Sequence, residues 1–346
     1  MTGWPLILLL VVAFACDPAY AQATRYRRGS SAEVSRALDQ LEQSKASQTQ
    51  LDDREKYLAQ NEGYYVQSSK KKGVFDRELT AEFGFEEYEY DYEETKEGEH
   101  FIDYSGRFHG LYGALTLHSG PDSIYESMVL NFFALEARAA IAKLDYNGSV
   151  GDGLGFSAPL QFSKVPDFVI ETRALAGKDF NWKDGRFTPY SGFGFRFLHD
   201  DPSDTEAVID YYGSAVAVNG YKRTSEYYYL PLGVDFVQSL GPTLRMGARM
   251  EYDHLFYGIQ KSYMKTAVGT PVENRQDKGM GVRASVSLEK DFRYWGLRLE
   301  PFIRYWDLRD SHWTPTEACV PGTPCMGAVE PQNTTREIGM RVGVSF

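Results

Sequence analysis

Residues 336–346 read Arg336-Glu337-Ile338-Gly339-Met340-Arg341-Val342-Gly343-Val344-Ser345-Phe346. Ile338, Met340, Val342, Val344 and Phe346 fall on one parity, and Glu337, Gly339, Arg341, Gly343 and Ser345 on the other. Successive side chains of a strand point to opposite faces. The stretch therefore predicts a strand with one apolar and one polar face, closing on an aromatic residue.

The same alternation recurs upstream from about residue 76. Leu79, Ala81, Phe83 and Phe85 carry the apolar parity of a first strand. Further strands are predicted near 104–118, 128–144, 166–178, 187–198, 226–239, 243–257, 279–290 and 295–308, giving ten with the last. The register of the second is open, its apolar positions being Leu111, Leu115 and Leu117. Turn residues at 119–122, 183–185, 240–242 and 291–294 make short connections. Those at 86–103, 145–165, 199–225, 258–278 and 310–335 are long, so short and long alternate. Phe180, Trp182, Phe292, Tyr294 and Trp295 cluster near the short turns, and Tyr252, Phe256, Tyr257, Tyr305 and Trp306 near the far ends.

Even strand count, alternating connections, two aromatic groups and a terminal Phe346 together resemble Gram-negative outer-membrane β-barrels. The resemblance covers 76–346 and implies an all-β, antiparallel up-and-down transmembrane barrel of about ten strands. It also implies that Met340, Val342, Val344 and Phe346 form a C-terminal insertion signal read by the barrel-insertion machinery. Outer-membrane lipid and lipopolysaccharide would then surround the wall. Short turns would lie in the periplasm and long loops outside.

Opposite the apolar parity lie Glu82, Glu86, Glu136, Arg138, Glu171, Arg173, Arg196, Asp235 and Arg245. Arg249, Glu251, Arg283, Glu289, Arg298, Glu300, Arg304, Glu337 and Arg341 complete this inward set. A barrel of about ten strands has a bore little wider than its side chains need. Charges there require partners, and the set is balanced in sign. It predicts a salt-bridged lumen; a narrow small-solute channel, porin-like, is the alternative.

The other end of the chain fits export. Leu6 to Ala15 is apolar but shorter than the ~20 residues of a transmembrane helix, and Ala19-Tyr20-Ala21 has the small-x-small form of a signal-peptidase site. Residues 1–21 are thus expected to be a signal peptide, with a lipoprotein acylated at Cys16 as the other reading. Cys319 and Cys325 remain, six positions apart around a Pro/Gly turn, and are expected to form a disulfide in an oxidising compartment. Residues 22–75 differ from the rest. Ser30 and Glu33 suit a capping box, and Val34, Leu38, Leu41, Leu51 and Leu58 trace a thin apolar seam over 31–60. This reads as a periplasmic helix for a protein partner, a weak coiled coil or a disordered tether. Lys70-Lys71-Lys72 follows, suited to lipid phosphates or to a solvated linker.

The formal charge of −11 excludes nucleic acid as a partner on bulk grounds. Within 86–103, acids alternate with Tyr88, Tyr90 and Tyr92, which reads either as a site for divalent cations or a basic partner or as a solvated strand extension. Ten strands and His199-Asp200-Asp201 with Asp253-His254 resemble the omptin surface proteases in strand count and placement, though not in motif spacing. No Gly-Xaa-Ser-Xaa-Gly elbow, phosphate loop or metal-spaced Cys/His cluster is found. No cofactor, metal or catalytic residue is assigned, and a structural, surface-exposed or complex-forming role is expected.

Overall fold

The computed structural model describes residues 79–346, apart from 97–98, 119–128, 152–156, 183, 264–270 and 316–326. The signal peptide, Cys16, the 22–75 segment with its 31–60 helix, the lysine run and the Cys319–Cys325 pair lie outside the described residues. Ten long strands follow one another: β1 (Leu79–Lys96), β2 (Glu99–His118), β3 (Phe132–Gly151), β4 (Ser157–Gly177), β5 (Gly185–Asp200), β6 (Arg223–Ser239), β7 (Leu244–Ser262), β8 (Gly279–Asp291), β9 (Gly296–Leu308) and β10 (Gln332–Ser345). Each pairs antiparallel with its sequence neighbours, and β10 pairs with β1, so the sheet closes on itself. At the seam Phe85 faces Val342, Phe83 faces Val344, and the backbones of Ala81 and Phe346 exchange two hydrogen bonds. The rings of Phe83 and Phe346 stack there at 5.7 Å.

Every apolar parity assigned from the sequence lies on the outside. Phe85 is 71% exposed and Met250 65%, with Leu135, Ile141, Leu232, Val286 and Ile338 exposed beside them. Contiguous apolar surface of this extent marks an interaction with another apolar medium. Hydrocarbon accepts it, and closure leaves no unpaired backbone edge for lipid to solvate. The protein is a transmembrane β-barrel. Register pairing of Leu79 with Leu117 and of Phe85 with Leu111 settles the second strand.

Three expectations are corrected. The connections at 86–103 and 145–165 are mostly strand: β1 and β2 leave only 97–98 between them, and β3 and β4 only 152–156. The interval from β2 to β3, 119–131, is longer than the short turn expected there. Strict alternation of short and long connections therefore fails at these places. Trp306 does not belong to the outer aromatic group. It is 1% exposed and faces inward, because Tyr305 already faces out and adjacent strand residues cannot share a face. Phe180, Trp182, Phe292, Tyr294 and Trp295 are all exposed at the short-turn end.

At the other end a hairpin, Glu206–Tyr211 with Ser214–Asn219, rides on the connection between β5 and β6. Its turn needs two left-handed residues, supplied by Tyr212 (φ 50°) and Gly213 (φ 83°).

Candidate functional site

The lumen is filled by three layers of side chains. At the long-connection end it is aromatic. Tyr88 stacks on Phe108 at 5.1 Å, and Tyr104 meets Tyr146 edge-on at 4.8 Å. Arg223 lies over Tyr104 and bonds Glu94 at 2.7 Å and Asp200 at 2.9 Å. Glu330, beyond the spanning segments, stands 3.6 Å from Arg223. Burial, reinforced by Glu94, pushes its carboxyl up to about 8 against the pull of Arg223. Nearby on the surface, the hydrogen bond to His312 holds Asp277 below the usual carboxylate range.

The middle layer is ionic. Glu337 is fully buried and accepts from Arg196 at 2.9 Å and Arg304 at 2.8 Å, with Arg138 at 3.1 Å. Glu86 receives Arg304 at 2.8 Å, Arg341 at 2.9 Å and Arg138 at 3.2 Å. Glu171 receives Arg138 at 2.6 Å, Arg283 and the Tyr229 hydroxyl. Arg283 reaches Asp253 at 2.6 Å and Glu251 at 3.2 Å. Arg196 and Arg283 lie against the Trp306 ring at 5.3 and 5.6 Å, which caps the layer with a π face.

Below it, towards the short turns, pairing continues. Arg173 bonds Glu136 and Glu251, while Arg249 bonds Glu136 at 2.8 Å and Asp235 at 3.0 Å. Arg298 holds Glu300 at 2.9 Å and Glu289 at 3.0 Å, and the Tyr112 hydroxyl donates to Glu82. Arg245 stands opposite Glu289 in the β7–β8 register. Two cavities of about 80 and 90 Å³ lie among these groups.

All the inward charges assigned from the sequence thus line one bore. Asp253 escaped that reading although it shares the parity of Arg249 and Glu251; pairing it with His254 as an acid–base couple hid its place. Tyr88, Tyr90, Tyr92, Glu94 and Arg223 escaped because they sit where 86–103 and 199–225 read as loop.

Strand geometry also separates the histidine couples. Asp253 faces inward and is locked to Arg283, whereas His254 is exposed outside, stacked near Tyr252. Asp200 faces Arg223, whereas His199 packs edge-on against the outward Phe168. Neither couple converges across the bore, so neither poises a base and an acid on a common water.

Gly194 is where this packing tolerates no side chain. A Cβ there would sit within the Tyr229 ring, well inside van der Waals contact. Tyr229 cannot swing away, being fully buried and bonded to Glu171. Gly194→Ala is expected to lower barrel stability by about 1–3 kcal/mol through overpacking, read as a shifted urea midpoint. An unshifted midpoint would show that the ring is free to move.

Closed wall, apolar belt and packed ionic bore define the fold of an outer-membrane β-barrel. No family model and no curated protein sequence matches the chain. Among solved structures it is similar to the outer membrane protease OmpT from Escherichia coli, at 9% identity, 78% of this chain, 97% of that chain and a TM-score of 0.51. It also aligns with the translocator domain of the autotransporter NalP from Neisseria meningitidis, at 12% identity, 86% and 95% coverage and a TM-score of 0.36. A mutant of the TodX monoaromatic hydrocarbon channel gives 8% identity, 79% and 91% coverage and 0.29. At these identities the likeness is one of fold alone.

Proposed function

We propose that this chain is an integral protein of a bacterial outer membrane that does not conduct solutes and serves a structural, surface-exposed or complex-forming role. One observation supports this above all: the bore is blocked by the Glu337, Glu86, Arg138, Arg196 and Arg304 cluster, whose side chains are at most 4% exposed. An open path would require several buried ion pairs to part together, each break costing about 3–5 kcal/mol. The two histidine couples face apart, so no catalytic residue is assigned.

In this reading the short turns face the periplasm and the long connections the exterior. Lipid and lipopolysaccharide contact the belt, the insertion machinery engages the closing strand, and residues 31–60 offer a periplasmic partner its docking segment. Planar-bilayer recording of the refolded protein is expected to give no steady single-channel steps. Reproducible steps of fixed size would overturn the reading in favour of a narrow channel.

A further inference from the structure

The outer mouth of the bore holds more carboxyl groups than cations. Arg223 of β6 bonds Glu94 of β1 at 2.7 Å and Asp200 of β5 at 2.9 Å. Glu330 stands 3.6 Å from the same guanidinium, beyond hydrogen-bond reach, and its Oε1 is buried with no hydrogen-bond partner. Asp167 of β4 lies opposite Asp200 in the β4–β5 register and adds a buried, partnerless Oδ1. The other guanidinium lining this cavity, Arg196, is bonded to Glu337 in the layer below. Lys222, next to Arg223 along the chain, lies over the Tyr263 ring instead.

Glu330 differs from the other three carboxyls in what carries it. Glu94, Asp167 and Asp200 belong to strands of the closed wall, whereas Glu330 sits in the connection between β9 and β10. There it ties two legs of that connection together. The Ser311 N–H donates to the Glu330 carbonyl at 2.9 Å, and Ser311 Oγ accepts from the Glu330 N–H at 2.8 Å. Beyond them Thr314–Pro315 pairs with Gly327–Ala328. Val329 is exposed, while the Glu330 side chain is buried in the mouth.

A carboxyl so placed is tolerated while neutral and costly when ionised, because burial strips its hydration and like charges stand opposite. The groups facing it are Glu94 and Tyr92 from β1, Asp200 from β5, Arg223 and Tyr227 from β6, the preceding Tyr221, and the uncharged Gln260 from β7. Arg223 is the one cation among them, and its two bonded carboxylates offset it. We propose that Glu330 is a proton-operated latch: neutral, it seats the β9–β10 connection on the outer mouth, and on ionising it withdraws to water with residues 327–331. The ionic layer below keeps the bore shut in either state, so the latch goes beyond the non-conducting role without resting on it.

The direction of the pH dependence follows. Seated, the Glu330 carboxyl titrates at about 8, whereas in water it falls in the ordinary carboxylate range. Seating is therefore strongest below that ordinary range. It weakens by nearly tenfold per pH unit between roughly 5 and 7, and levels off above the seated value.

The test is hydrogen–deuterium exchange of the full-length protein refolded in maltoside micelles. Peptides covering 327–331 are followed from acid to alkaline pH and corrected for intrinsic exchange. Their opening constant is expected to rise nearly tenfold per unit up to about pH 7 and then flatten. Glu330→Gln, permanently neutral, is expected to hold one value across the range. Glu94→Gln frees Arg223 to meet Glu330 and is expected to move the plateau down by at least about one unit. A side chain with only a packing role would produce no such shift, and this variant decides alone should Glu330→Gln fail to refold. A wild-type opening constant independent of pH would overturn the proposal. So would a slope that persists in Glu330→Gln, or a plateau that Glu94→Gln leaves in place.

Discussion

Replacing Glu337 by Gln lowers the unfolding free energy of the refolded barrel by about 3–5 kcal/mol. Glu337 is the carboxylate on which three strands' arginines meet: Arg138 of β3, Arg196 of β5 and Arg304 of β9. Gln keeps the shape and one acceptor oxygen but removes the charge and turns an NH2 towards a guanidinium. Arg138 and Arg304 retain Glu86, yet Arg196 loses the carboxylate it is bonded to and lies 1% exposed against Trp306. Solvent cannot rescue it. The exposed pair Arg336–Asp91, whose arginine precedes Glu337 on β10, is the control. Its removal by Arg336→Ala should cost no more than about 1 kcal/mol. Equilibrium urea unfolding followed by tryptophan fluorescence measures both, and equal shifts for the two variants would show that the lumen is not dry.

Met250→Arg tests the other side of the wall and is expected to cost about 2–4 kcal/mol. Met250 lies midway along the outward run of β7 from Met246 to His254 and is among the most exposed apolar side chains of the belt. In hydrocarbon the guanidinium must drag water or headgroups inward. In water the same exchange at an exposed position changes stability by no more than about 0.5 kcal/mol. Unfolding from phospholipid vesicles distinguishes the two media. A variant as stable as the parent would mean that lipid does not touch this face.

The spanning half of each strand was legible in the sequence because lipid outside and ions inside enforce a strict period of two. Beyond the belt that signal inverts. In β1 the odd positions are apolar up to Phe85 and acidic from Glu87 to Glu93, while the even positions turn from Glu86 to Tyr88, Tyr90 and Tyr92. Outside, water replaces lipid; inside, rings replace ion pairs. A reading that follows apolar parity loses the strand at the crossing and reports a loop. Trp306 defeats the pattern for the opposite reason: it neighbours the outward Tyr305 along the chain but lies on the other face of the strand. The members of the bore could be named from parity alone. Their partners could not, because Arg138 and Glu337 are 199 residues apart and meet only through closure of the sheet.

The continuation of β1 and β2 past the belt bears on which antibodies would recognise this molecule. A linear peptide copied from 86–94 offers all its side chains, but the folded ladder shows solvent only the odd ones, with Tyr88 and Tyr90 turned into the core. Antibodies raised on that peptide through its tyrosines would bind denatured protein and miss the folded barrel, while sera against the native wall would map to alternate residues on neighbouring strands.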